Sequence, residues 1–106
     1  SIKYDATIQV DGVDSPLKGA DKVHLMARAS YNGGTQEAVV DEVSAKTLMT
    51  KNGKDKWMLY LYPHEFFGVP ADVKIDKVSF YMVNADKSIE VKMPDGEEFS
   101  FAENDK

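Results

Sequence analysis

Apolar and polar side chains alternate along most of this chain. Tyr4, Ala6, Ile8 and Val10 fall on one side of an extended backbone and Asp5, Thr7 and Gln9 on the other, the period of a half-buried strand, which Asp11-Gly12 ends as a turn. Val23, Leu25 and Ala27 alternate with His24, Met26 and Arg28 in a second strand that stops at Tyr31-Asn32-Gly33-Gly34. Asn52-Gly53 separates residues 46–50 from the β-prone run 57–62, which reads as a hairpin with a slightly long loop. Val78, Phe80 and Met82 mark a further strand. Ile89, Val91 and Met93, the turn Pro94-Asp95-Gly96, and then Phe99 and Phe101 read as a closing hairpin.

Two segments break the alternation. Residues 35–45, with Val39, Val40 and Val43 among acids and amides, suit a helix face as well as a strand, and an irregular or briefly helical insertion is expected there. In residues 63–70, Pro63 can open one helical turn and Gly68 close it, making a corner between sheets. Short strands with regular turn signals predict an all-β, immunoglobulin-like antiparallel β-sandwich of about seven or eight strands. At 106 residues and 42% hydrophobic content, one core and one domain over residues 1–106 are expected, with 103–106 as a frayed polar tail.

Strand phase selects the outward side chains. Burying Leu59 and Leu61 at about 25 cal/mol per Å2 sends Tyr60 and Tyr62 outward, and the same logic puts Phe80 inside and Tyr81 outside. His24 and Arg28 are expected on the outer face of their strand. In an immunoglobulin-like strand order Tyr60 and His24 share a sheet and Tyr81 lies on the opposite one, so there are two candidate surfaces. Trp57 is in phase with the leucines and belongs in the core, although its place beside the Asn52-Gly53 loop brings its edge toward the surface.

Outward tyrosines near Arg28 and His24 suit a sugar. The C–H face of a pyranose stacks on an aromatic ring, and its hydroxyls need polar partners at the edge. The candidate ligand-binding set is Tyr60 and Tyr62 as platform, Tyr31 and Trp57 at its margin, and His24 and Arg28 as polar partners. Each tyrosine is equally at home on any half-exposed strand face, where aromatic cross-strand pairs stabilise a sheet by about 0.2–1 kcal/mol.

Charge narrows the partners. A formal net charge of −5 with a single arginine disfavours nucleic acid, and no cationic amphipathic helix or long apolar run favours a membrane. The lack of cysteine removes disulfides and thiolate chemistry. His24 and His64 are the only neutral-pH bases, and neither a Gly-x-Ser-x-Gly elbow nor a His-Glu-x-x-His pair is present, so no catalytic residues are expected. The oxygen-rich turns at Asp11-Gly12-Val13-Asp14, Asn84-Ala85-Asp86 and Asp95-Gly96-Glu97-Glu98 could meet calcium, but none has EF-hand spacing and Asp and Asn are ordinary turn residues; no cofactor is expected.

Glu65-Phe66-Phe67-Gly68-Val69-Pro70, followed by Ile75, Val78, Phe80 and Asn84-Ala85-Asp86, resembles bacterial immunoglobulin-like modules related to starch-binding carbohydrate-binding modules. Pro94-Asp95-Gly96-Glu97-Glu98-Phe99 is similar to their Asp-Gly-x-x-Phe ending. Val83 stands where that pattern usually has arginine, and Lys87 where it has glycine. The resemblance implies an extracellular or bacterial cell-surface setting and a non-catalytic module that grips a polysaccharide, an α-glucan above others. The alternative expectation is a structural spacer or protein-interaction domain packed on neighbouring domains. Coplanar, exposed tyrosines would favour the first, and exposed but non-coplanar ones the second.

Overall fold

The computed structural model describes residues 3–103, so the part of the expected tail from position 104 onward lies outside the described residues. Among the described residues there are eight strands and one helical turn: β1 (Ala6–Asp11), β2 (Val23–Tyr31), β3 (Gln36–Val40), β4 (Thr50–Gly53), β5 (Lys56–Leu61), α1 (Pro63–Phe67), β6 (Ile75–Asn84), β7 (Glu90–Val91) and β8 (Phe99–Phe101). They form two antiparallel sheets of a β-sandwich. Sheet A has the order β1-β5-β4, and sheet B the order β3-β2-β6-β7 with β8 also on β6.

Alternation translates directly into the core. Ile8, Val10, Trp57 and Leu61 of sheet A meet Val23, Leu25, Ala27 and Met82 of sheet B, joined by Leu17, Met49 and Phe66. Burying a side chain of this size contributes about 1.5–3 kcal/mol. A second cluster at one end gathers Tyr4, Ala29, Val69, Ile75 and Val78. The corner falls where expected: Pro63 opens α1, Gly68 exits at φ 70°, and its neighbour Val69 donates to the His64 carbonyl, carrying the chain from sheet A to sheet B.

Three local expectations are corrected. Residues 36–40 form a strand, not an irregular or helical insertion, because the edge of β2 offers a pairing partner that overrides local preference. The hairpin turn sits at Lys54-Asp55, with Asn52-Gly53 inside β4; Asp55 takes φ 57° and its buried carboxylate accepts the Gly19 N–H at 2.8 Å. β7 and β8 do not pair as a hairpin. Both run antiparallel to β6, Val91 opposite Met82 and Phe99 opposite Phe80, with residues 92–98 looped out between them.

The opposite edge of sheet B repeats this construction. After Val40 pairs with Ala27, residues 41–46 loop out, and the chain returns to β2 with Leu48 opposite His24. Leu25 N–H then donates to the Thr47 carbonyl and Met49 N–H to that of Val23, each at 2.9 Å. Sheet B therefore carries an interrupted strand on each edge.

Candidate functional site

The strand phase of β5 places Tyr60 outside. Trp57 and Leu61 are buried and Leu59 packs on the core, while Tyr60 is 49% exposed on the outer face of sheet A. Its hydroxyl donates to Asp5 Oδ2 at 3.0 Å, and hydrogen bonds to Tyr62 and then Asp5 raise its pKa above the ordinary phenol value. Tyr62 is half-buried, and the two rings meet edge to face, 5.4 Å apart and 72° between planes. The Lys3 ammonium lies 5.0 Å from the centroid of the Tyr62 ring and bridges to Glu65 at 2.9 Å, a contact that holds the Lys3 pKa up. The tyrosines are thus adjacent but not coplanar.

On one side of Tyr60 the outer face of sheet A is uncharged, while Asp5, Lys46 and Glu65 stand on the other. Cross-strand register sets Thr7 opposite Tyr60, and Gln9 opposite Met58, which in turn faces Thr50. Thr7, Gln9 and Thr50 are exposed and Met58 is half-buried. The result is a row of hydroxyl, amide and thioether groups beside one phenol ring, with charge at its ends in Asp5, Asp11 and Lys56.

Sheet membership separates His24, Arg28 and Tyr31 from these tyrosines. β2 and β6 share sheet B, so His24 and Arg28 lie with Tyr81 and not with Tyr60, the reverse of the immunoglobulin-like expectation. His24 is also buried, at 7% exposure, and cannot partner a surface ligand. The loop 41–46 accounts for this, with the Lys87 ammonium donating to the Asp41 carbonyl. Thr47 Oγ1 lies 2.9 Å from His24 Nδ1, accepts the Ser44 N–H and donates to the Ser44 carbonyl. Burial lowers the His24 pKa, opposed by a hydrogen bond from the ring to the Ser44 backbone. Met26 and Val83, on the same face, are fully buried.

Arg28 remains exposed, its Nε donating to Glu98 Oε1 at 3.1 Å, a residue of the 92–98 loop. From the same loop Lys92 covers the Tyr81 ring at 5.0 Å. Tyr81 has its pKa raised by burial first and then by Glu90, Asp41 and Glu98. Sequence reasoning named Tyr81 as an outward ring but missed that Arg28 belongs with it. Tyr31, expected at the margin of the Tyr60 platform, packs against the second core cluster at the end of β2. Trp57 is 1% exposed, so its edge does not reach the surface and it contacts no ligand there.

A slot of about 520 Å3 runs along β1, lined by residues 4–9 together with Phe80, Ser100, Phe101 and Ala102. A shallower hollow of about 340 Å3 lies beside Tyr60 and Tyr62 over Lys46 and Glu65. Among the described residues, no group of three His, Asp or Glu side chains could hold a metal ion, and no helix is long and apolar enough to cross a membrane.

A family model described as Domain of unknown function (DUF8578) matches residues 1–91. No curated protein matches the sequence.

Proposed function

Since the chain belongs to the DUF8578 family, a domain of unknown function, we propose from the geometry that it is a non-catalytic carbohydrate-binding module whose contact surface is the outer face of sheet A. One observation carries this reading: the half-exposed Tyr60 ring, held through its hydroxyl by Asp5, is bordered on one side by Thr7, Gln9, Met58 and Thr50, which have no charge. A neutral sugar ring needs one aromatic face and several hydroxyl partners, and loses little by leaving water against uncharged groups. The outer face of sheet B, with Arg28, Glu98, Lys92 and Glu90 crowded around Tyr81, is less suited to such a ligand.

The 72° between the Tyr60 and Tyr62 rings limits the platform to one stacking ring. Affinity then belongs at the weak end of a range of about 1 mM to 1 μM. A polysaccharide, with the resemblance favouring an α-glucan and an extracellular or bacterial cell-surface setting, offers many equivalent sugars to such a weak site. Affinity electrophoresis against soluble starch and a panel of neutral glycans tests the reading. Retardation by at least one glycan supports it, and equal mobility with and without every glycan rejects it.

By the coplanarity criterion the 72° between the rings falls on the side of a second reading, a spacer or protein-interaction domain on which Tyr60 and Tyr62 pack against a neighbouring domain, so that the sugar reading rests on the single Tyr60 ring and its uncharged flank. A tyrosine fluorescence change on adding the partner domain, with none on adding sugar, distinguishes the second reading.

A further inference from the structure

The outer face of sheet B carries a basin of about 370 Å3, lined by Arg28, Ser30, Gly34, Glu37, Lys77 and Ser79. Strand register lays its floor: Arg28 stands opposite Ser79 and Ser30 opposite Lys77 on β2 and β6, and on the β3 side Ser30 also faces Glu37. The turn between β2 and β3 forms its end wall, fastened to the start of β6 by the Gly34 N–H, which donates to Asp76 Oδ2 at 3.0 Å. Paired strands and a tied turn therefore set the shape of the basin.

Its lining contains no apolar side chain, so a hydrocarbon group gains nothing by entering it. Arg28 and Lys77 are diagonal neighbours on the sheet, close enough for two long side chains to meet one shared group. The Arg28 Nε–H is taken by Glu98 at 3.1 Å, which leaves the terminal guanidinium nitrogens for a second acceptor. Among the described residues, no ion pair engages the Lys77 ammonium or the Glu37 carboxylate. Two neighbouring cations repel, and an anion placed between them relieves that repulsion. Glu37 can only accept hydrogen bonds, whereas the Ser30 and Ser79 hydroxyls both donate and accept. The basin thus suits a ligand that is anionic at one end and carries hydroxyls at the other.

We propose that this basin binds a carboxylate-bearing sugar, a uronate unit of an acidic polysaccharide. Arg28 and Lys77 take the carboxylate through charge-assisted hydrogen bonds, Glu37 accepts from ring hydroxyls, and Ser30 and Ser79 bridge the two ends. Recognition by charge and hydroxyls needs no stacking ring. The site lies on the sheet opposite to Tyr60 and does not rest on the neutral-sugar reading, so either can fail without the other.

Amide-resolved NMR of the full 106-residue chain, titrated at low salt with methyl glucuronoside and methyl galacturonoside, tests the proposal. The controls are methyl glucoside and methyl galactoside, which carry a hydroxymethyl group in place of the carboxylate, and acetate, a carboxylate without the sugar. At least one uronoside should give saturable shifts at residues 28–30, 34, 37 and 77–79, with binding of its neutral counterpart and of acetate about tenfold weaker or absent. Arg28→Gln and Lys77→Gln, both at exposed positions, should each weaken uronoside binding by about fivefold or more. No saturable shift with either uronoside at about 50 mM, or shifts confined to other surfaces, would overturn the proposal. So would undiminished binding by either variant, equal binding of the neutral glycoside, or equal binding of acetate, which would mean an adventitious ion only.

Discussion

Gly12 sits against the ring of Trp57, so close that a Cβ built on Gly12 would stand 2.6 Å from Cζ3. The same Cβ would lie 3.0 Å from the Asp55 carbonyl, which accepts the Gly12 N–H at 2.7 Å. Neither neighbour can yield, since the indole is fully buried and the carbonyl belongs to a tight turn. Glycine is required there for close approach and not for its backbone angles. Gly12→Ala should therefore destabilise the fold by about 1–3 kcal/mol, the cost of overpacking a filled core. Urea denaturation followed by Trp57 fluorescence measures this, and an unchanged midpoint would contradict the packing described.

Tyr60→Ala separates the sugar-binding role from a structural one. Tyr60 is half exposed, so its loss should change the unfolding midpoint little. Glycan affinity should fall by about fivefold, as expected for one lost aromatic stacking contact. Tyr81→Ala, on the charged face of sheet B, should leave glycan affinity unchanged. Isothermal titration of both variants with the glycan that retards the wild type checks the pair of outcomes.

The two-residue period located most strands and their buried faces, because alternation is set by the geometry of each strand alone. It separated Thr7 and Gln9 from Ile8 and Val10, and Tyr60 from Leu61. Sheet membership was less legible. Period 2 states which side chains share a face but not which strand lies beside which; the immunoglobulin-like strand order assumed in its place joined Arg28 to Tyr60 when the fold joins it to Tyr81. Burial of His24 was hidden for a related reason. Its cover comes from the 41–46 loop, a product of tertiary contacts such as Lys87 to Asp41. One local signal did exist: Met26 and Val83 are apolar at positions that should face water, the mark of a strand buried on both sides.

Thr47 anchors that cover. Its single hydroxyl accepts the Ser44 N–H at 2.9 Å, donates to the Ser44 carbonyl at 3.1 Å and lies 2.9 Å from His24 Nδ1, while the side chain is wholly buried. Thr47→Val keeps the shape and removes all three contacts. Orphaned buried polar groups cost about 1–3 kcal/mol, so a loss in that range is expected from urea denaturation. Faster hydrogen exchange in residues 41–48 should accompany it if the loop is held by this hydroxyl.

The same cluster predicts a pH dependence. Burial, with a smaller push from Lys22, lowers the His24 pKa from its ordinary 6.5, against a hydrogen bond from the ring to the Ser44 backbone that raises it. The unfolded chain then takes up the proton at a higher pH than the folded chain does. Stability from this group is present above 6.5 and is lost as pH falls through the unfolded value toward the lower folded one. Urea midpoints should therefore decline between about pH 7 and pH 5, ahead of the carboxylate range near pH 4. His24→Gln, which cannot charge, should show a flatter profile over that interval whatever its absolute stability. Parallel slopes for the variant and the wild type would mean that His24 is not the group responsible.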